Sequence, residues 1–316
     1  MTSPIILFCL GLFLIIKGGD YFTDSSINIA RISNLPEVFI GATIVSIATT
    51  TPEAIVSITA SFKNYTEMSI GNAIGSIICN TGLVLGITNI IRPSKVKGKF
   101  IKLKSLTLII FTFIFFILSV DRLIDNINAG LLLLLVLVYI VFDSLVIKHK
   151  KTQSIKNYYT PISRKEYTKI FLLFVVGIMG ISIGSNLLIN NGIIIAKFIG
   201  VPEAVISLTF IALGTSLPEL TTAITAIKKG HPSLSVGNII GANILNLSLV
   251  LGAAGLINPL NITEQNIYLD FPVFFIMISI LSLSCIIKGK INKIIGALLF
   301  IIYIIYLITL YFFYMV

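Results

Sequence analysis

Ten apolar stretches, each about as long as the hydrocarbon core of a bilayer is thick, leave this chain few ways to fold. A spanning helix needs about 20 mainly apolar residues. Such stretches run over 3–30, 37–62, 68–91, 100–119, 127–147, 166–195, 203–228, 234–257, 268–287 and 291–314. Composition agrees, with 56% hydrophobic and 11% charged residues and a mean hydropathy of +1.02, where a soluble domain carries roughly 25% charged residues. The chain is therefore expected to be an all-α polytopic membrane protein whose surface meets lipid. A soluble enzyme of this composition would lack the charge to cover itself.

The net charge of +10 does not point to nucleic acid, because the 23 Lys and Arg gather in short connectors rather than on one face. Arg92, Lys95, Lys97, Lys99, Lys102 and Lys104 follow the third stretch. Lys148, Lys150, Lys151, Lys156, Arg164, Lys165 and Lys169 fill the centre, with Arg31, Lys228, Lys229, Lys288, Lys290 and Lys293 elsewhere. With ten spans all nineteen fall on one side, Lys63, Arg122 and Lys197 on the other, and Lys17 inside the first stretch. The positive-inside rule then puts both termini outside and the central loop in the cytoplasm of a cell (plasma) membrane protein. The first stretch runs too far for a cleavable h-region, so insertion through the first helix itself is expected. Cys9, Cys79 and Cys285 form no CxxC or Cys/His pattern, which argues against a zinc site or a disulfide framework.

A repeat divides the chain. Adding 166 carries Pro36-Glu37 onto Pro202-Glu203, Thr49 onto Thr215, Pro52-Glu53 onto Pro218-Glu219 and Gly71-Asn72 onto Gly237-Asn238. It also carries Gly75 onto Gly241, Asn80 onto Asn246, Gly86 onto Gly252 and Pro93 onto Pro259. Each half holds five spans, an odd number, so the second half enters the membrane from the opposite side. The expected organisation is a five-helix repeat over 1–147, a basic linker over 148–165 and a second, inverted repeat over 166–316. Inverted repeats of this kind place their sites near the midplane, between the halves.

The repeated residues are polar ones in apolar surroundings. Proline at 52 or 218 has no N–H and crowds the preceding turn, which frees a carbonyl at Ala48 or Gly214. Such carbonyls are tolerated in a membrane only where they are buried in protein or line a cavity. Glu53 and Glu219 add carboxylates, while Thr49, Thr50, Thr51, Thr215 and Ser216 add hydroxyl and carbonyl oxygens. Asn80 and Asn246 can supply neutral oxygens, and the glycines of the GN–G blocks let helices cross closely. An all-oxygen set with carboxylates suits a hard cation such as Ca2+. His149 and His231 sit in connectors, where solvated roles are expected, so a soft transition-metal site is not. An intramembrane carboxylate without an obvious basic partner marks a functional site.

GTSLPE followed by GNIIGANILN, and its partner ATTTPE followed by GNAIGSIICN, resemble the alpha repeats of the sodium/calcium exchanger family, within the calcium:cation antiporter superfamily, in its compact prokaryotic form. The likeness covers both halves and the position of the central loop. It implies ten transmembrane helices as two inverted five-helix repeats, with helices 2, 3, 7 and 8 broken around a central ion site. It also implies alternating access, with Na+ flow driving Ca2+ the other way and helices 1 and 6 as a sliding pair. By the resemblance, Glu53, Glu219, Thr49 and Thr215 hold Ca2+. Ser46, Thr50 and Ser76 flank it as a Na+ position on one side, and Ala212, Ser216 and Ala242 on the other, with Asn80 and Asn246 as a central polar pair. Ala242 stands where the family usually has a serine, so one Na+ position lacks a hydroxyl.

That loss leaves a Ca2+/H+ or other cation/proton exchanger on the same scaffold as the alternative, and a passive cation channel behind it. An enzyme is not expected, since no HExxH and no Ser/His pair occurs at membrane depth. No cofactor is expected, and the partners are membrane lipid and the small cations Ca2+ and Na+, or H+ in the alternative. A monomer would suffice for such a site. The central connector is too short for a calcium-sensing domain.

Overall fold

The computed structural model describes residues 2–96, 98–153, 163–198, 214 and 216–314. Helices follow in the order α1 (Thr2–Ser33), α2 (Glu37–Phe62), α3 (Thr66–Ile91), α4 (Lys99–Leu118), α5 (Asn126–Gln153), α6 (Arg164–Phe198), α7 (Leu217–Lys228), α8 (Pro232–Ile257), α9 (Asn266–Lys288) and α10 (Lys293–Tyr314). Among the described residues all but α7 are long and apolar enough to cross a membrane. Of the seventh expected span, 203–213 and 215 lie outside the described residues, as do Lys97 and 154–162 of the basic connectors.

The repeat written in the sequence is repeated in the backbone. Both ends of α3 recur in α8 at the same offset, as does a π-turn, Asn80–Val84 in one and Asn246–Val250 in the other. Left-handed residues close equivalent helices: Asn64 (φ 63°) after α2 and Gly230 (φ 86°) after α7. In each case the next N–H reaches back, Tyr65 to the Ala60 carbonyl and His231 to the Ala226 carbonyl, both at 2.8 Å. This back-bond satisfies a carbonyl that the helix end would leave unpaired.

Four two-residue strands tie the halves together. Strand β1 (Ser94–Lys95), between α3 and α4, pairs with β4 (Lys290–Ile291), between α9 and α10. Strand β2 (Leu123–Ile124), between α4 and α5, pairs with β3 (Leu260–Asn261), between α8 and α9. Counting spans, each pair joins connectors on the same side. The repeat-equivalent strands β1 and β3 therefore lie on opposite sides, as an inversion requires.

At the centre stand α3 and α8, with 83% of the α8 spanning window buried. Ile70, Ile74, Ile77 and Ile78 of α3 and Ile239, Ile240, Ile244 and Leu247 of α8 form one apolar core. Small residues let the neighbours close in. A Cβ at Gly241 would meet the Ala42 carbonyl of α2 at 2.6 Å, and Gly41 and Gly237 are equally filled by backbone of the facing helix. Outside this core α1 lies along α6, where Gly11 and Gly184 face each other so closely that a Cβ on either would sit 2.7 Å from the other's carbonyl oxygen. A Cβ at Gly18 would likewise sit 2.8 Å from the Gly177 carbonyl oxygen.

Three details differ from the sequence reading. The interruptions of α2, α3 and α8 are π-turns, at 41–45, 80–84 and 246–250, and α2 remains helical through Pro52. Lys104 is not a connector lysine. It lies inside α4, 2% exposed, ion-paired to Asp143 of α5 at 2.5 Å. His231 is more than a solvated loop residue, since its Nδ1 lies 2.6 Å from a Glu37 carboxylate oxygen. Beside it Lys229 pairs with Asp24 at 2.8 Å and Asp20 at 3.2 Å, tying the α7 end to α1. Partial burial pulls the Lys229 ammonium down, but the two aspartates outweigh it and hold it above the ordinary lysine value.

Candidate ion-binding site

Four polar residues of α2, Ser46, Thr49, Thr50 and Glu53, are spaced i, i+3, i+4 and i+7, which puts them on one helix face. All four are buried, whereas Ile44, Ile47 and Ile55 on the remaining circumference face outward. Thr51 goes with the latter group. Its hydroxyl bonds the Ile47 carbonyl at 2.7 Å on the exposed side, so it offers the site nothing. Helix phase decides this, and three consecutive threonines cannot share one face.

From the second half, Ser216 and Glu219 enter at the first turn of α7, where Pro218 sits without needing an N–H. Glu219 is fully buried, and Ser216 is nearly so. The two carboxylates lie within electrostatic reach of one another. On α3, Ser76 and Asn80 are buried, and on α8 so are Ala242 and Asn246. Asn80 and Asn246 are the first residues of the two matching π-turns, where the helix widens and its carbonyls fall out of the regular ladder. Thr215 and Ala212 lie outside the described residues.

Most of these residues lack a hydrogen-bond partner. Among the described residues both carboxylate oxygens of Glu53 and of Glu219 are buried without a hydrogen bond. So are the amide O and N of Asn80 and Asn246 and the hydroxyls of Thr50, Ser76 and Ser216. Leaving a buried carboxylate unpaired is far costlier than leaving a neutral group so. No His, Cys, Asp or Glu joins the two glutamates in a larger metal-binding group among the described residues. Two carboxylates ringed by neutral oxygens match the charge and hardness of a cation that takes six to eight oxygen ligands. Ala242 is buried at its expected place and carries no oxygen on its side chain.

A supporting layer is present that composition and charge do not reveal. Asn72 of α3 donates to the Glu53 backbone carbonyl at 3.1 Å and to the Ser57 hydroxyl at 2.9 Å. Its repeat mate Asn238 accepts a hydrogen bond from the Thr49 hydroxyl at 3.2 Å. Each asparagine thus anchors a turn of α2 that carries a candidate ligand. The repeated Gly-Asn pair at 71–72 and 237–238 is the sequence signal for it.

Known proteins resemble this chain in sequence and in fold. The family model described as Sodium/calcium exchanger protein matches residues 3–148 and 169–312. The chain is 30% identical to sodium/calcium exchanger MaX1 of Methanosarcina acetivorans, over 99% of this chain and 99% of that one. It is 29% identical to inner membrane protein YrbG of Escherichia coli, over 90% of this chain and 89% of that one. A solved structure of the sodium-calcium exchanger NCX_Mj, soaked with zero Na+ and Ca2+, matches with a TM-score of 0.85 at 31% identity, covering 97% of this chain and 98% of that one. With the family model spanning both halves and the solved fold covering nearly the whole chain, this protein belongs to the sodium/calcium exchanger family.

Proposed function

We propose that this protein is a secondary antiporter that exchanges Na+ for Ca2+ by alternating access, through one site shared by its two halves, 1–147 and 166–316. The observation that carries the proposal is the facing pair Glu53 and Glu219, fully buried and without a partner for any carboxylate oxygen among the described residues. Two negative charges neutralise one Ca2+, with Thr49 and Thr215 completing its shell. When Na+ ions take the flanking positions, the same two carboxylates are again compensated. Ser46, Thr50 and Ser76 serve one flank and Ala212, Ser216 and Ala242 the other, with Asn80 and Asn246 between them. Occupancy by either ion set removes the penalty of the bare carboxylates, so a filled site can pass through a closed state and an empty one cannot.

Alternation needs a part that moves as a unit. The α1–α6 pair meets through glycines, backbone to backbone, and slides as one piece across the α2–α3–α7–α8 core in this reading. Inversion makes the two access routes equivalent. Both termini face outward and the 148–165 linker lies in the cytoplasm, and one chain contains the whole site.

Purified protein in proteoliposomes, given radiolabelled Ca2+, tests the assignment. An imposed Na+ gradient is expected to drive Ca2+ uptake against its own gradient. Uptake driven by a pH gradient alone, with no response to Na+, would move the protein to cation/proton exchange. Ca2+ leak without any counter-ion would make it a channel.

A further inference from the structure

We propose that Tyr139 is a positioning residue for Ca2+ binding: braced by a buried Lys104–Asp143 pair, its hydroxyl fixes the π-turn that sets the phase of the ligand-bearing face of α2. The proposal rests on the exchange activity proposed above. Tyr139, on α5, is buried and donates its hydroxyl to the Ala42 carbonyl of α2. Ala42 lies within the π-turn Gly41–Val45, immediately before Ser46, Thr49, Thr50 and Glu53. In that turn the Ser46 N–H donates to the Gly41 and Thr43 carbonyls and passes over Ala42. Tyr139 thus caps the carbonyl that an ordinary α-helical turn would give to Ser46.

A π-turn holds one more residue per turn than an α-turn, and each residue of an α-helix turns the chain by about 100°. Relaxing Gly41–Val45 to α geometry would therefore rotate the face bearing Ser46, Thr49, Thr50 and Glu53 away from α8 and α7. The turn is already pressed by α8, on whose backbone Gly41 and Ala42 pack. Tyr139 adds a hydrogen bond from α5 to the Ala42 carbonyl.

The tyrosine is itself held. Lys104 Nζ lies 2.5 Å from both carboxylate oxygens of Asp143. The same ammonium sits 4.0 Å from the Tyr139 ring centroid and 5.1 Å from that of Phe39, on α2. A buried ion pair is a weak source of stability compared with apolar packing, whereas an ammonium clasped between a carboxylate and two rings fixes where those rings stand. The second half offers a comparison. Tyr306, equivalent at an offset of 167, donates instead to Asp270 at 3.1 Å, and Asp270 occupies the position equivalent to Lys104. Tyr139 therefore donates across to a ligand-bearing span, whereas Tyr306 donates to Asp270 of α9.

Tyr139→Phe removes the hydroxyl and keeps the ring. In proteoliposomes the Ca2+ concentration for half-maximal uptake is expected to rise about tenfold, with the maximal rate within about twofold of wild type. Tyr306→Phe serves as the control and is expected to leave half-saturation unchanged. An unchanged half-saturation in Tyr139→Phe, or an equal rise in Tyr306→Phe, would overturn the proposal. If Tyr139→Phe does not yield folded protein, the double variant Lys104→Met with Asp143→Leu leaves the hydroxyl but removes its brace. A rise in half-saturation is expected there too, and unchanged half-saturation in that folded variant would overturn the proposal equally. Wild-type protein is assayed alongside: absence of Na+-driven Ca2+ uptake in it refutes the exchanger assignment, and with it this inference, whereas unchanged variants beside an active wild type refute the inference alone.

Discussion

In the proposed exchange site the chemistry is concentrated in two buried side chains, Glu53 and Glu219, whose charge a cation between them would compensate. Among the described residues the carboxylates of Glu53 and Glu219 are buried without a hydrogen bond, so under the proposed function each would weaken the ion-free fold and strengthen the ion-bound one. Replacing either by glutamine removes a charge from a buried place at little steric change. Glu53→Gln and Glu219→Gln are therefore expected to fold, to melt at or above the wild-type temperature without Ca2+, and to transport nothing. A ligand at about 100 times its Kd adds roughly 2.7 kcal/mol of stability, and that Ca2+-dependent rise in melting temperature is expected to vanish in both. Transport by either folded variant would remove that residue from the mechanism. Asn72 acts one step further out. Asn72→Ala loses bonds to the Glu53 carbonyl and the Ser57 hydroxyl, each worth about 1 kcal/mol. Weaker Ca2+ binding by roughly tenfold is expected, measured as half-maximal uptake, and unchanged binding would reduce Asn72 to a packing residue.

At the scale of elements, the spans were plain in the sequence and their internal geometry was not. Runs of apolar residues announce a helix because lipid demands it, and the exact offset of 166 survives in helix ends, π-turns and left-handed caps. The π-turns themselves left no signature, since Gly41–Val45 reads like any apolar helical segment and its form depends on α8 and Tyr139 pressing from two sides. Lys104 departs from its expected place for a related reason. A lysine five residues into a span looks like the end of a basic connector until its partner is known, and Asp143 is 39 residues away. Thr51 shows the limit of composition: it stands among the ligands in the sequence and turns outward in the helix. The α1–α6 contact supplies a prediction of its own. A methyl at Gly18 would meet the Gly177 carbonyl at 2.8 Å, and overpacking of this kind costs about 1–3 kcal/mol. Gly18→Ala is expected to lower thermal stability and maximal transport rate while leaving half-saturating Ca2+ unchanged. A normal rate would show that the close glycine contact is not needed for movement.

The whole molecule is an inverted pair in which each half contributes one carboxylate to a common centre. Inversion also fixes which connectors share a side, and the β1–β4 and β2–β3 pairs join them accordingly. In a cysteine-free background, Lys290→Cys is expected to react with a membrane-impermeant thiol reagent from the cytoplasmic side only, and Lys63→Cys from the outside only. The reverse pattern would turn the protein over in the membrane. The central claim, that both halves build a single exchange site, is met most directly by titrating purified protein with Ca2+ in a calorimeter, with and without Na+. A single Ca2+ site that weakens as Na+ rises, and disappears in Glu53→Gln and in Glu219→Gln alike, is the predicted result. Ca2+ binding that survives either substitution, or that ignores Na+, would contradict it.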